Sequence, residues 1–139
     1  MKTFMTTCAM IWTITPCLAG ELIVKVNGIK DGKGEIGCAL FGSETGFPMD
    51  GSKAKTKWQK AKPEGVECRF EGVSAGKYAV SVSHDLNGNR KTDTNFLGIP
   101  KEDWGVSNNV RPKLRAPRFE EAAFEVQAGE TRIEIGVGR

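Results

Sequence analysis

Hydrophobic and polar positions alternate along most of this chain. Leu22, Val24 and Val26 share one side of a segment whose other side carries Ile23 and Lys25. Tyr78, Val80 and Val82 alternate with Ala79, Ser81 and Ser83; Phe124 and Val126 alternate with Glu125 and Gln127. Ile133, Ile135 and Val137 are interleaved with Glu134 and Gly136. A period of two is the pleat of a strand buried on one face. Turn-forming runs separate these segments: Asn27-Gly28, Asp31-Gly32-Lys33-Gly34, Ser74-Ala75-Gly76, Asn87-Gly88 and Ala128-Gly129-Glu130. Strands are therefore expected near 21–28, 34–42, 65–71, 76–84, 120–127 and 130–137. Six or so short antiparallel strands at this spacing predict an all-β fold, an antiparallel β-sandwich.

Two segments depart from the pattern. Residues 47–63 carry Lys53, Lys55, Lys57, Lys60 and Lys62 around Trp58, and read as a crossover with a helical turn that ends at Pro63. Residues 85–119 form a long irregular excursion rich in Asn, Asp, Pro and Gly. A loop of that length in a compact domain is usually functional or disordered.

Residues 1–19 have the layout of a signal peptide. Lys2 supplies the positive start, Phe4 to Ile14 a short apolar run, Pro16 the breaker and Ala19 the small residue before a cleavage site. The run is too short for a membrane span of about 20 residues, so the chain is not expected to be transmembrane. A buried N-terminal helix and a lipid anchor at Cys17 are the alternatives; Pro16 stands where a lipobox wants a small residue. Export leaves residues 20–139 as a single domain, periplasmic or secreted. With 139 residues, 39% hydrophobic and 27% charged, the chain has the composition of one globular domain, and its net charge of +3 is too slight for a nucleic-acid partner. Removal of Cys8 and Cys17 leaves Cys38 and Cys68 as an even pair, expected to form a disulfide worth about 3–4 kcal/mol by loop closure. Two buried free thiols are the alternative.

Candidate chemistry concentrates in the excursion. Asp85, Asn87, Asn89 and Asp93 occupy relative positions one, three, five and nine, the opening of a calcium loop. Arg90 stands where such a loop needs glycine and Phe96 where it needs glutamate. The competing reading is a loop held by Asx turns. Further on, Asn95, Phe96, Trp104, Ser107, Asn108 and Asn109 could form a sugar-type site, aromatic rings for stacking and amides for hydroxyls; the same residues could equally fold the excursion onto the sheet. Gly72-Val73-Ser74-Ala75-Gly76 matches a nucleophile elbow, but lies between two strands and reads as a turn. His84 reads as structural. Arg111, Lys113, Arg115 and Arg118 form a basic arm suited to a solvated face or an anionic polymer.

The stretches His84-Asp85-Leu86-Asn87-Gly88-Asn89, Thr92-Asp93-Thr94-Asn95-Phe96-Leu97-Gly98-Ile99-Pro100 and Trp104-Gly105-Val106-Ser107-Asn108-Asn109 resemble an exported bacterial family known as domain of unknown function 2141. Phe41 to Pro48 and Pro117 to Phe124 resemble its flanking blocks, so the likeness spans essentially 20–139. It implies export and a prealbumin-like or carboxypeptidase-regulatory-like sandwich, and no established activity. The expectation is an exported non-enzymatic accessory or binding module that contacts an envelope component or glycan through the 85–119 excursion. A calcium-stabilised module is the alternative, with calcium the one candidate cofactor; an envelope hydrolase ranks behind both.

Overall fold

The computed structural model describes residues 10–13 and 19–139. Among the described residues there are eight strands: β1 (Gly20–Asn27), β2 (Glu35–Phe41), β3 (Lys55–Lys60), β4 (Val66–Val73), β5 (Gly76–Asp85), β6 (Trp104–Val106), β7 (Phe124–Val126) and β8 (Glu130–Gly136). They form two antiparallel-rich sheets. The smaller runs β4-β1-β8, and the larger runs β3-β2-β5-β6 with β7 also paired to β5. The expected signal peptide falls largely on residues outside those described, as does Cys17. No described helix is long and apolar enough to cross a membrane.

The alternating residues meet between the sheets. Leu22, Val24 and Val26 of β1 and Cys68 and Phe70 of β4 share one core with Ile36, Cys38 and Leu40 of β2 and Val80 and Val82 of β5. Cys38 and Cys68 are disulfide-bonded, tying the larger sheet to the smaller. A second seam joins the sheets where Trp104 and Gly138 exchange backbone hydrogen bonds of 3.0 and 3.1 Å.

Four expectations are corrected. The lysine-rich 47–63 segment holds only a 3-10 turn, Gly51–Lys53, and then continues as strand β3. In β3 only Thr56 and Trp58 are half-buried while the lysines face solvent, as suits an edge that must not recruit another strand. Residues 120–127 are not one strand: a single helical turn, α1 (Phe119–Ala122), precedes β7. The pairing is not wholly antiparallel, because β1 and β8 run parallel from Glu21↔Glu130 to Asn27↔Gly136. The 85–119 excursion is not structureless, since β6 within it pairs with Ser81–Ser83 of β5.

Candidate functional site

The outer face of the larger sheet is built from small residues. Register aligns Trp58, Gly37, Ser83 and Trp104 in one row across four strands, and Thr56, Ala39, Ser81 and Val106 in the next. A Cβ on Gly37 would come within 2.6 Å of the Trp58 ring, so glycine is what lets the indole reach over β2. One end of this face is sealed. Phe41, Ala79, Val106, Phe119 and Ala122 form a second small core, with Phe47 set edge-on against both Phe41 and Phe119. The other end is open, and leaves a trough of about 590 Å³. Gly37, Ala39, Ser81 and Ser83 contribute its floor; Trp58, Met49, Ser52 and the Arg90–Thr92 segment line its sides.

Arg90 belongs both to this wall and to the loop behind it. Its guanidinium donates two hydrogen bonds to the Glu35 carboxylate, at 3.0 and 3.1 Å, and lies 5.3 Å from the Trp58 ring centre. The pair holds the Glu35 carboxyl below its ordinary range. A planar guanidinium over an indole is a cation–π contact that stiffens the aromatic side of the trough. Lys91 and Thr92 complete that side, giving it a positive and hydroxylated character.

Behind the wall, the loop that follows β5 curls tightly. Asp85 is fully buried; one carboxylate oxygen accepts the Gly88 N–H at 3.0 Å and the other the Arg90 N–H at 2.6 Å. Asn87 and Asn89 each close an Asx turn, accepting the N–H of Asn89 and Lys91 respectively. Their amide nitrogens both donate to Asp93, at 2.7 and 3.0 Å. Thus Asn87, Asn89 and Asp93 meet side chain to side chain, while Asp85 holds the backbone of the same loop. Arg90 takes a left-handed backbone, φ 54°, at the position where glycine is usual in calcium loops. His84 is buried; its Nε2 donates to the Lys33 carbonyl at 2.6 Å, a structural role.

Sequence reasoning missed Glu102. This residue is only 7% exposed, and one carboxylate oxygen accepts the Leu86 N–H at 3.0 Å, inside the same loop. The other oxygen is buried without a partner among the described residues. Burial pushes the Glu102 carboxyl above its ordinary range, and repulsion from Asp85 and Asp93 adds to the effect against the Leu86 N–H. Neighbouring Asp103 likewise has one buried oxygen without a hydrogen bond among the described residues, but its charge is met: Lys30 and Arg139 approach its two oxygens at 3.3 and 3.4 Å. Among the described residues no group of three or more His, Cys, Asp and Glu side chains is already set to hold a metal ion; the loop supplies amide oxygens as well as carboxylates.

The residues expected to bind a sugar are occupied in other ways. The Asn95 side-chain oxygen accepts the N–H groups of Leu97 and Ile99, shaping a turn whose Phe96 is 95% exposed. The Ser107 hydroxyl donates to the Ala122 carbonyl and accepts the Val80 N–H. Asn108 donates to the carbonyls of Glu121 and Ala123, and Asn109 accepts the Gly136 N–H. Ser107, Asn108 and Asn109 therefore pin α1 and β8 to the larger sheet. Trp104 borders the trough row, covered by Arg111 at 4.3 Å from its ring centre. In the basic arm, Arg115 makes a double hydrogen bond to Glu121, whose carboxyl is held down at about 2 by Arg115 and then by the Arg118 N–H. Ser74 lies in the two-residue connection between β4 and β5, and its carbonyl accepts the Tyr78 hydroxyl.

A family model described as an uncharacterized protein conserved in bacteria (DUF2141) matches residues 24–134. No curated protein and no solved structure matches the chain.

Proposed function

The chain belongs to that uncharacterised bacterial family, whose description carries no activity, and from the outer face of the larger sheet we propose that it is a non-enzymatic binding module exported to the cell envelope. The proposal includes a prealbumin-like or carboxypeptidase-regulatory-like sandwich, with the ligand resting in the trough rather than on the tip of the excursion. The observation that carries it is the bare floor of Gly37, Ala39, Ser81 and Ser83 beside the half-buried Trp58. A sheet face that needed only solubility would carry longer polar chains; one that needed burial would be filled as its other end is. A concave surface with one aromatic wall and several hydroxyls suits a hydroxyl-rich ligand such as a cell-wall saccharide; its charges nearly balance, since Arg90 is paired with Glu35 and both Lys91 and Asp50 line the trough. The volume falls within the roughly 300–1,000 Å³ of small-molecule sites. The disulfide favours an oxidising compartment, in keeping with export.

Isothermal titration of the chain with neutral and acidic cell-wall glycan fragments tests this reading. Saturable binding of a fragment that disappears in Trp58→Ala is the expected result. A flat response across the panel, or binding that survives Trp58→Ala unchanged, overturns it.

A further inference from the structure

The loop behind the trough and the residue that sequence reasoning missed point to a separate property. We propose that Asp85, Asn87, Asn89 and Asp93, together with Glu102 from outside the loop, form a binding site for calcium. A calcium ion takes six to eight hard oxygens at about 2.3–2.6 Å, mixing carboxylates, amides and backbone carbonyls. Three carboxylates, two side-chain amides and the Lys91 carbonyl, at relative position seven, contain that mixture, although the three carboxylates do not already converge on one point and must close around the ion.

The sequence spacing lacks the terminal carboxylate, because Phe96 stands at position twelve and is exposed. Glu102 makes good the loss from six residues further along. One of its oxygens is bound to the backbone between Asp85 and Asn87, which fixes the carboxyl against the loop, and the other is buried and unpartnered among the described residues. A buried carboxylate oxygen without a donor is costly unless a cation or a proton covers it. Asp85, Asn87 and Asn89 satisfy the N–H groups of Gly88, Asn89, Arg90 and Lys91, and Glu102 satisfies that of Leu86, a task that uses only one of its two oxygens.

Two amide N–H donors lie against Asp93, supplying the positive end that its charge requires. An ion that takes their place requires each asparagine to turn its oxygen inward about the soft terminal torsion and to give up the Asx-turn bond to the Asn89 or Lys91 N–H. The Arg90 side chain is drawn off to Glu35 and does not compete with an ion for the loop. This site stands on residues other than those of the trough floor, so the fate of either proposal leaves the other intact.

Isothermal titration of the exported chain with calcium chloride, after treatment with EDTA and with magnesium as the control, reads the site directly. The expected result is one calcium per chain with a dissociation constant on the order of 10⁻⁴–10⁻³ M, as in extracellular modules, and a rise in melting temperature of several degrees in 5–10 mM calcium (roughly 5 to 100 times that constant). Glu102→Gln should weaken binding at least about tenfold while melting, in EDTA, no lower than the parent, because the amide removes a buried charge. That combination separates a lost ligand from a damaged fold. Asp93→Asn is the second variant, should Glu102→Gln fail to fold, and is expected to lose affinity likewise. No calcium binding by the parent chain, or unchanged affinity in the folded variant, overturns the proposal.

Discussion

Breaking the Cys38–Cys68 bridge should lower stability by an amount that the chain itself sets. The two cysteines are 30 residues apart and both fully buried, one on β2 of the larger sheet and one on β4 of the smaller. Closing a loop of that length removes about 3.6 kcal/mol of conformational freedom from the unfolded chain at 25 °C on the loop-entropy model. A domain of about 120 residues unfolds with an entropy near 0.25 kcal/mol per degree, so the melting temperature should fall by about 14 °C. Calorimetry of Cys38→Ala, Cys68→Ala and the double variant measures it. Either single change already breaks the bridge, so the double variant should lose scarcely more than each single one, a strong departure from additivity. A drop below about 4 °C, or single losses that simply add, would show that the bridge does not constrain the unfolded chain as argued.

Three further outcomes are expected. Ser107→Ala should cost about 1–3 kcal/mol in chemical denaturation, because the Val80 N–H and Ala122 carbonyl lose their common partner inside the fold; a loss under about 0.5 kcal/mol would mean that water replaces the hydroxyl. The Glu121 carboxyl, followed by NMR, should titrate near 2 rather than at its ordinary 4.5, and return toward 4.5 in Arg115→Ala. Its folded value is the lower one, so its contribution to stability is complete above 4.5 and is lost as pH falls from there through about 2. A parent midpoint near 4.5 would deny a lasting Arg115 pair. Gly37→Ala should push the Trp58 ring off β2, red-shifting its emission in a Trp104→Phe background; an unshifted spectrum would refute the close approach.

The strands legible in the sequence were those whose alternation is sharp. Leu22–Val26 and Tyr78–Val82 place a hydrophobic residue toward the main core at every second position, although Ile23 and Ala79 on the other side are buried as well. β3 gave no such signal, since Lys55, Lys57 and Lys60 are exposed at a sheet edge and Thr56 and Trp58 are only half-buried. The parallel pairing of β1 with β8 joins residues more than a hundred positions apart, a distance over which local pattern carries no information. The polar residues of the excursion were recognised, but not what they bind: Asn108 and Asn109 look like ligand contacts until their amides are seen to hold the backbone. The trough is made of residues that are individually unremarked. Gly37, Ala39, Ser81 and Ser83 are all small and all on one face of adjacent strands, and that shared lack of bulk was the available clue. Glu102 was hidden by its distance from the loop it touches.

Arg90 makes two parts of the molecule mechanically one. Its peptide nitrogen is gripped from beneath by Asp85, while its far end is anchored above to Glu35 and rests on Trp58. The loop after β5 and the aromatic wall of the trough therefore share one residue, and a single change, Arg90→Ala, would release both the Glu35 carboxylate and the Trp58 ring.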